Sequence, residues 1–252
     1  MIGYGIDIKM DRKGWIFIVL ALFAVIFIFS SSPIYDPINV HVYADNRTFF
    51  GIPNFNDVIF SLLFFILGLM GLWKIGHQNK TLQTSIWMIF FLAIVGLALG
   101  SGYYHLAPSD ERLFWDRLSI STAFMALLAG VLSERISLTV SKKVAPFLIL
   151  AGISSVFYWG FTRDIRFYLL VQYFSIVALP LLCLCFPRKG DRYIYGVTVF
   201  YILAKVVESY DAQIFNLTHQ FISGLTLKQL AAAIGVYFVY RKSVMAYNKQ
   251  KK

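Results

Sequence analysis

The sequence predicts an all-α protein, a polytopic bundle of transmembrane helices. Of its 252 residues, 58% are hydrophobic and only 14% are charged, and the mean hydropathy is +0.67. Soluble domains are closer to about half apolar and about a quarter charged. Apolar runs long enough to cross roughly 30 Å of hydrocarbon recur along the whole chain. Helices are expected for such runs, because a chain in lipid must satisfy its own backbone hydrogen bonds.

Eight apolar runs predict eight spans. The first run follows Arg12 and Lys13 and lacks a clear small-residue cleavage site, so we interpret it as a retained signal anchor. Residues 32–57 carry three prolines and predict an irregular cap between the first two spans. The runs lie at 14–31, 58–75, 84–105, 117–134, 144–160, 166–186, 193–210 and 219–240.

The distribution of positive charge predicts the orientation. Eight spans place both termini on one side, and the segments on that side hold sixteen of the 23 Lys and Arg residues, against five in the opposite connections. Because cytoplasmic loops are enriched in Lys and Arg, we expect both termini in the cytoplasm. The net charge of +10 is explained by these short loops, so nucleic-acid binding is not expected. Without organelle signals, a bacterial cytoplasmic membrane is the simplest location.

A serine, a histidine and an aspartate meet at the external end of the third and fourth runs. Ser101 and His105 are four residues apart and share a helix face, and Asp116 opens the next run. Each has a structural interpretation as well: Ser101 would permit close helix packing, and His105 would meet water at the interface. Asp116 would cap its helix or pair with Arg112 or Arg117.

The last two runs carry further polar residues. Lys205 and Glu208 are three apart in the seventh run, and we interpret them as a structural ion pair within the membrane. Leu225 and Gln229 lie one turn apart near the external end of the eighth run, and we expect them to face His105 across the bundle.

The chain resembles the bacterial branch of the alkaline ceramidase family, within the CREST superfamily of membrane hydrolases, in three stretches. They are YADNRTFFGIPNFNDV (43–58), GSGYYHLAP with the following WDR (100–108 and 115–117), and SGLTLKQLAAA (223–233). The resemblance implies a ceramidase-like transmembrane core of seven helices over residues 41–240, to which the first span is an addition. Residues 1–40 would then hold the signal anchor and the start of the external loop, and residues 241–252 a basic cytoplasmic tail.

The resemblance implies zinc-dependent hydrolysis of a lipid amide, from ceramide to a sphingoid base and a fatty acid. In the family, three histidines hold the zinc, and the first matches His105. Ser101 matches the serine that stabilises the oxyanion, and Asp116 the aspartate that acts on the zinc-bound water. The two histidines of the family's H-T-L-K-H motif are Leu225 and Gln229 here. Leucine cannot bind zinc and an amide binds it poorly, so the usual three protein ligands are incomplete.

Alternatives therefore remain open at this stage. His219 or His41 is a candidate substitute ligand beside His105 and Asp116, or zinc is absent. One function hypothesis is a ceramidase-like membrane hydrolase of lipid amides. The other is a catalytically inactive relative that binds or senses lipids. Both make a ceramide-like membrane lipid the expected partner, and whether the chain is an enzyme depends on positions 225 and 229.

Overall fold

A computed structural model of the chain describes residues 12–248, and the regular elements in that range are helices, which confirms the predicted all-α fold class. They are α1 (Arg12–Ser30), α2 (Phe55–Gly76), α3 (Leu82–Leu106), α4 (Asp110–Ser133), α5 (Leu138–Thr162), α6 (Arg166–Cys185), α7 (Asp191–Ser209), α8 (Asp211–Leu217) and α9 (Gly224–Asn248).

Five of the described helices, α2 to α6, are long and apolar enough to cross a membrane, as expected of an integral membrane protein. The other three predicted spans coincide with α1, α7 and α9. The eight-span topology and the side of the termini stay predictions. Residues 1–11 and 249–252 hold the start of the predicted anchor segment and the end of the predicted basic tail, and they lie outside the described residues.

Six helices form a closed ring. Each of α2, α3, α4, α6, α7 and α9 packs against the next, and α9 packs back on α2. The remaining long helices lie outside the ring, with α5 against α4 and α6, and α1 against α6. The six ring helices therefore surround a central space.

Three helix starts differ from the prediction by five residues or more. Helix α5 begins at Leu138, six residues before the predicted start at 144, because the Ser137 hydroxyl accepts a hydrogen bond from the Val140 amide and caps the helix there. Helix α4 begins at Asp110, nearly two turns before the predicted start at 117, because the Ser109 hydroxyl accepts a hydrogen bond from the Arg112 amide and caps the helix there. Asp116 therefore lies inside α4 and is not its N-cap. The last span was predicted from 219, but His219 and Gln220 have positive φ angles of 52° and 63°, so the helix starts only at 224.

The connection between α1 and α2, residues 31–54, forms an irregular segment that we call the cap. The end of the bundle that carries it is called the cap end. Asp36 in the cap accepts hydrogen bonds from Arg117 Nη1 and Trp159 Nε1, both at 2.8 Å. The Arg117 guanidinium also lies over the Trp159 ring, 4.3 Å from its centroid. A buried ion pair and an aromatic contact thus hold the cap against α4 and α5.

A second anchor of the cap is Asp164, in the connection between α5 and α6. The Ile34 amide donates to Asp164 Oδ1 over 3.3 Å, and the Arg166 side chain donates to both carboxylate oxygens. Burial by itself would raise the pKa of Asp164, but the hydrogen bonds from Arg166, Ile34 and Tyr158 outweigh it and lower the pKa to about 2. Asp164 is therefore ionised at neutral pH.

Asp211 joins the cap to the start of α9. One carboxylate oxygen accepts a hydrogen bond from the Ala44 amide at 3.0 Å, and the other from the Leu225 amide at 2.7 Å. The close approach of α9 to this corner requires a glycine at 224, because a Cβ there would lie 2.1 Å from the Val207 carbonyl oxygen.

Candidate functional site

The ring of helices encloses a cavity of about 360 Å³, within the range of about 300–1,000 Å³ that is usual for small-molecule sites. Tyr43 of the cap closes it at the cap end. On α9 the lining residues run from Leu225 to Val239, which corresponds to about 20 Å of helix. Away from the cap end the lining is mostly apolar, with Phe64, Phe90, Ile94, Leu127, Val197 and Val236 among its side chains. The polar exceptions are Gln172 and Tyr201, and the Tyr201 hydroxyl donates a hydrogen bond to the Gln172 side chain at 2.9 Å.

Helices α3 and α4 place Ser101, His105 and Asp116 at the cap end of this cavity. Ser101 and His105 lie one turn apart and are only 6% and 4% exposed. Gly100 permits close contact between the two helices, since a Cβ there would lie 2.8 Å from the carbonyl oxygen of Trp115. This contact places Ser101 close to Asp116, and the Ser101 hydroxyl accepts a hydrogen bond from Ser61 of α2 at 3.2 Å.

Helix α9 places Leu225 and Gln229 in the same part of the cavity. Gln229 Nε2 lies 3.3 Å from His105 Nε2, and both side chains are buried. Leu225 is also buried and contributes an apolar surface one turn nearer the cap. Gln229 therefore contacts His105 as expected, and Leu225 lines the same cavity.

The predicted pair of Lys205 and Glu208 extends to a third residue. Lys205 Nζ lies 2.8 Å from one oxygen of Glu208, and Lys228 Nζ lies 2.7 Å from the other. The three side chains also line the cavity. No partner was predicted for Lys228 in the last span. The need to neutralise a charge at membrane depth is a signal that could have pointed to an acid on another span.

Sequence reasoning missed two residues near this site, Asp57 and Tyr43. Asp57 is 1% exposed on α2 and accepts a hydrogen bond from Thr226 of α9 at 2.8 Å. Tyr43 packs edge to face on Tyr104, and its ring centroid lies 5.2 Å from that of His105. Burial raises the pKa of Tyr43 above its ordinary value, so the phenol is neutral.

The two substitute histidines lie elsewhere. His41 Nδ1 is 3.0 Å from the Tyr104 hydroxyl and its Nε2 is 3.2 Å from Asp110 Oδ1, so both ring nitrogens are engaged on the outer side of the cap. His219 is exposed in the turn after α8 and is not among the residues that line the cavity.

The residues around His105 do not fit a zinc ion held by three protein ligands. Leu225 has no atom that can bind a metal. His105 Nε2 is engaged by the Gln229 amide, so Nδ1 is the one ring nitrogen of His105 without a hydrogen bond. Within residues 12–248, no three His, Cys, Asp or Glu side chains are grouped closely enough to hold a metal ion. The donor set is thus one imidazole, one amide and the nearby Asp116, which falls short of the usual zinc site.

Comparison with known proteins adds no family assignment: no family model matches the chain, and no curated protein matches it either. The relationship to alkaline ceramidases therefore remains a prediction from the three motifs.

Proposed function

We propose that this chain is a ceramidase-like integral membrane protein that binds a lipid amide of the ceramide class in its cavity. The observation that carries the proposal is the division of the cavity into two parts. Ser101, His105, Asp116, Lys228 and Gln229 form a polar cap end, and an apolar channel continues from it. The lining of about 20 Å exceeds the depth of one leaflet, about 15 Å or half of the hydrocarbon core. An amide headgroup with an acyl chain matches that division.

Binding is tested with the purified protein in lipid nanodiscs and a radiolabelled ceramide, with phosphatidylcholine as the competing bilayer lipid. Gly235 lines the channel and an added Cβ would meet no atom within 4 Å, so Gly235→Phe places a ring in the cavity. We expect this variant to lose saturable ceramide binding. Gly102→Phe is the matched control, since its site is equally open but Gly102 does not line the cavity. Equal binding by both variants would refute the cavity as the lipid site.

Hydrolysis of the bound amide is the second candidate function. One observation favours it: Ser101, His105 and Asp116 line the same end of the cavity, where the amide would be placed. A carboxylate in that position would accept a proton from the attacking water and return it to the leaving nitrogen as the amide C–N bond breaks, and the serine hydroxyl would donate to the amide oxygen. Since the residues do not fit zinc, no step is assigned to a metal.

The assay for hydrolysis is the release of fatty acid from ceramide, followed by mass spectrometry, with Asp116→Asn as the inactive comparison. Product formed by the wild type and lost in the variant would support a hydrolase. Ceramide binding without product would identify the protein as a lipid-binding relative that does not hydrolyse its ligand.

The proposed location is a bacterial cytoplasmic membrane, crossed eight times, with both termini in the cytoplasm. The charge asymmetry of the loops and the five apolar helices support this topology. Reporter fusions at the cap, around Ile38, and after residue 252 test it. A cap reporter active only outside the cytoplasm and a C-terminal reporter active only inside it are expected. The reverse pattern would contradict the orientation.

A further inference from the structure

The cap end of the cavity contains buried polar atoms that have no partner. They are His105 Nδ1, Gln229 Oε1 and the hydroxyl oxygen of Tyr43. His105 and Gln229 are more than nine-tenths buried, and all three side chains line the cavity. A buried polar atom without a hydrogen bond costs about 1–3 kcal/mol. Three of them around one space indicate a group that arrives with its own donors and acceptors.

The contact between His105 and Gln229 determines which of these atoms donate. The Gln229 amide nitrogen donates to His105 Nε2 at 3.3 Å. A neutral imidazole carries one proton, so an Nε2 that accepts leaves the proton on Nδ1. His105 Nδ1 is then a donor, Gln229 Oε1 is an acceptor, and the Tyr43 hydroxyl can act as either.

We infer that His105 and Gln229 together form a metal-free recognition site for a secondary amide, in which Gln229 takes the place of a metal ligand and determines specificity. The carbonyl oxygen of the amide accepts from His105 Nδ1 or Tyr43, and its N–H donates to Gln229 Oε1. This inference rests on the proposed lipid-binding function and adds to it the requirement for an N–H group and the independence from zinc.

The charges around the site agree with a neutral headgroup. Lys205 and Lys228 share the single carboxylate of Glu208, which leaves one positive charge on these three groups. An ionised Asp116 in the same lining balances that charge. Arg117, the other cation among the described cavity-lining residues, is paired with Asp36 of the cap. A fatty acid carboxylate would moreover bring no donor to Gln229 Oε1.

The test compares two ligands that differ in one atom, a ceramide and its ester analogue in which oxygen replaces the amide nitrogen. Both are bound to the full-length protein in nanodiscs with EDTA present, and intact bound lipid is quantified by mass spectrometry. We expect the wild type to bind the amide about tenfold or more tightly than the ester, since the ester leaves Gln229 Oε1 unpaired. Gln229→Met keeps the side-chain length and should bind the two lipids with equal affinity.

Gln83→Met is the matched control, because Gln83 is also a glutamine that hydrogen-bonds between two ring helices, but at the end opposite the cap and away from the cavity. It should keep the amide preference of the wild type. Each variant is first checked for a monodisperse profile and a cooperative thermal transition. Because the readout is the ratio of two affinities for one preparation, partial unfolding does not imitate the effect.

The outcomes separate the two proposals. Equal binding of amide and ester by the wild type, or an unchanged preference in Gln229→Met, would overturn the role of Gln229 while lipid binding stands. Loss of wild-type binding in EDTA, with recovery on adding zinc, would overturn metal-free recognition. If the wild type binds neither lipid under any condition, the proposed function itself fails.

Discussion

Restoring histidine at positions 225 and 229 should convert the site into a zinc site. The perturbation is the double substitution Leu225→His and Gln229→His. Two nitrogen ligands on a tetrahedral zinc, each at about 2.0–2.1 Å, lie about 3.3 Å apart. Gln229 Nε2 and His105 Nε2 are already separated by 3.3 Å. A histidine at 229 can therefore share an ion with His105 without a change in the spacing of α3 and α9, and position 225 supplies the third nitrogen from the next turn.

The assay is elemental mass spectrometry of the purified protein, with thermal unfolding in the presence and absence of zinc. The wild type should contain essentially no zinc, and the double variant about one ion per chain, held by three histidines. At a free zinc concentration 100 times the dissociation constant, binding should stabilise the folded state by about 2.7 kcal/mol.

The control is the same double variant with His105→Ala, which removes the imidazole nitrogen supplied by position 105. Zinc content and zinc-dependent stabilisation should both fall in this triple variant. No zinc in the double variant would refute the reasoning that these positions converge on His105. Equal zinc content in the double and triple variants would refute it as well, since the ion would then be bound elsewhere.

The remaining predictions concern stability. The pKa of Asp164 is about 2 in the folded state, against 3.8 for an unperturbed aspartate. At pH values above 3.8 this difference stabilises the folded state by about 2 kcal/mol, and the contribution is lost as the pH falls from about 4 to 2. Asp164→Asn should lack it, so its melting temperature should change less over that range than that of the wild type. Gly100→Ala should destabilise the fold by about 1–3 kcal/mol through its clash with the α4 backbone, whereas the open site of Gly102→Ala should tolerate the methyl group. A similar melting temperature for the two alanine variants would contradict this packing. Asp36→Ala should lower the free energy of unfolding by about 3–5 kcal/mol, because Arg117 would stay buried without its carboxylate partner. Thermal unfolding measures the loss, and a decrease below about 1 kcal/mol would show that the guanidinium finds other partners.

The helices were predictable because the apolar runs are long and dominate local structure. The errors occur where helical structure continues outside the apolar run. Residues Asp110–Arg117 are mostly polar, so the run was placed seven residues late, although Ser109 is a good N-cap that marks the true start. The short helix α8 was not predicted, since its residues lie in the connection between the last two apolar runs, 193–210 and 219–240.

The residues of the site were predictable from their spacing on one helix and from their depth along each span, but most of the contacts between helices were not. The spacing of Ser101 and His105 places them on one face without further information. The contact of Lys228 with Glu208, and that of Thr226 with Asp57, join different helices. Which faces of two helices meet depends on the packing of the whole ring, and one sequence contains no direct record of that packing.

The two hydrogen bonds of Asp211 have a mechanical consequence. One carboxylate oxygen accepts a hydrogen bond from the Ala44 amide in the cap, and the other accepts one from the Leu225 amide in the first turn of α9. The carboxylate thus links the cap directly to the helix that carries Gln229. A ligand that displaces Gln229 also strains this link, and the displacement is transmitted to the cap. A reporter group on the cap would then sense what occupies the interior, although it never touches the ligand.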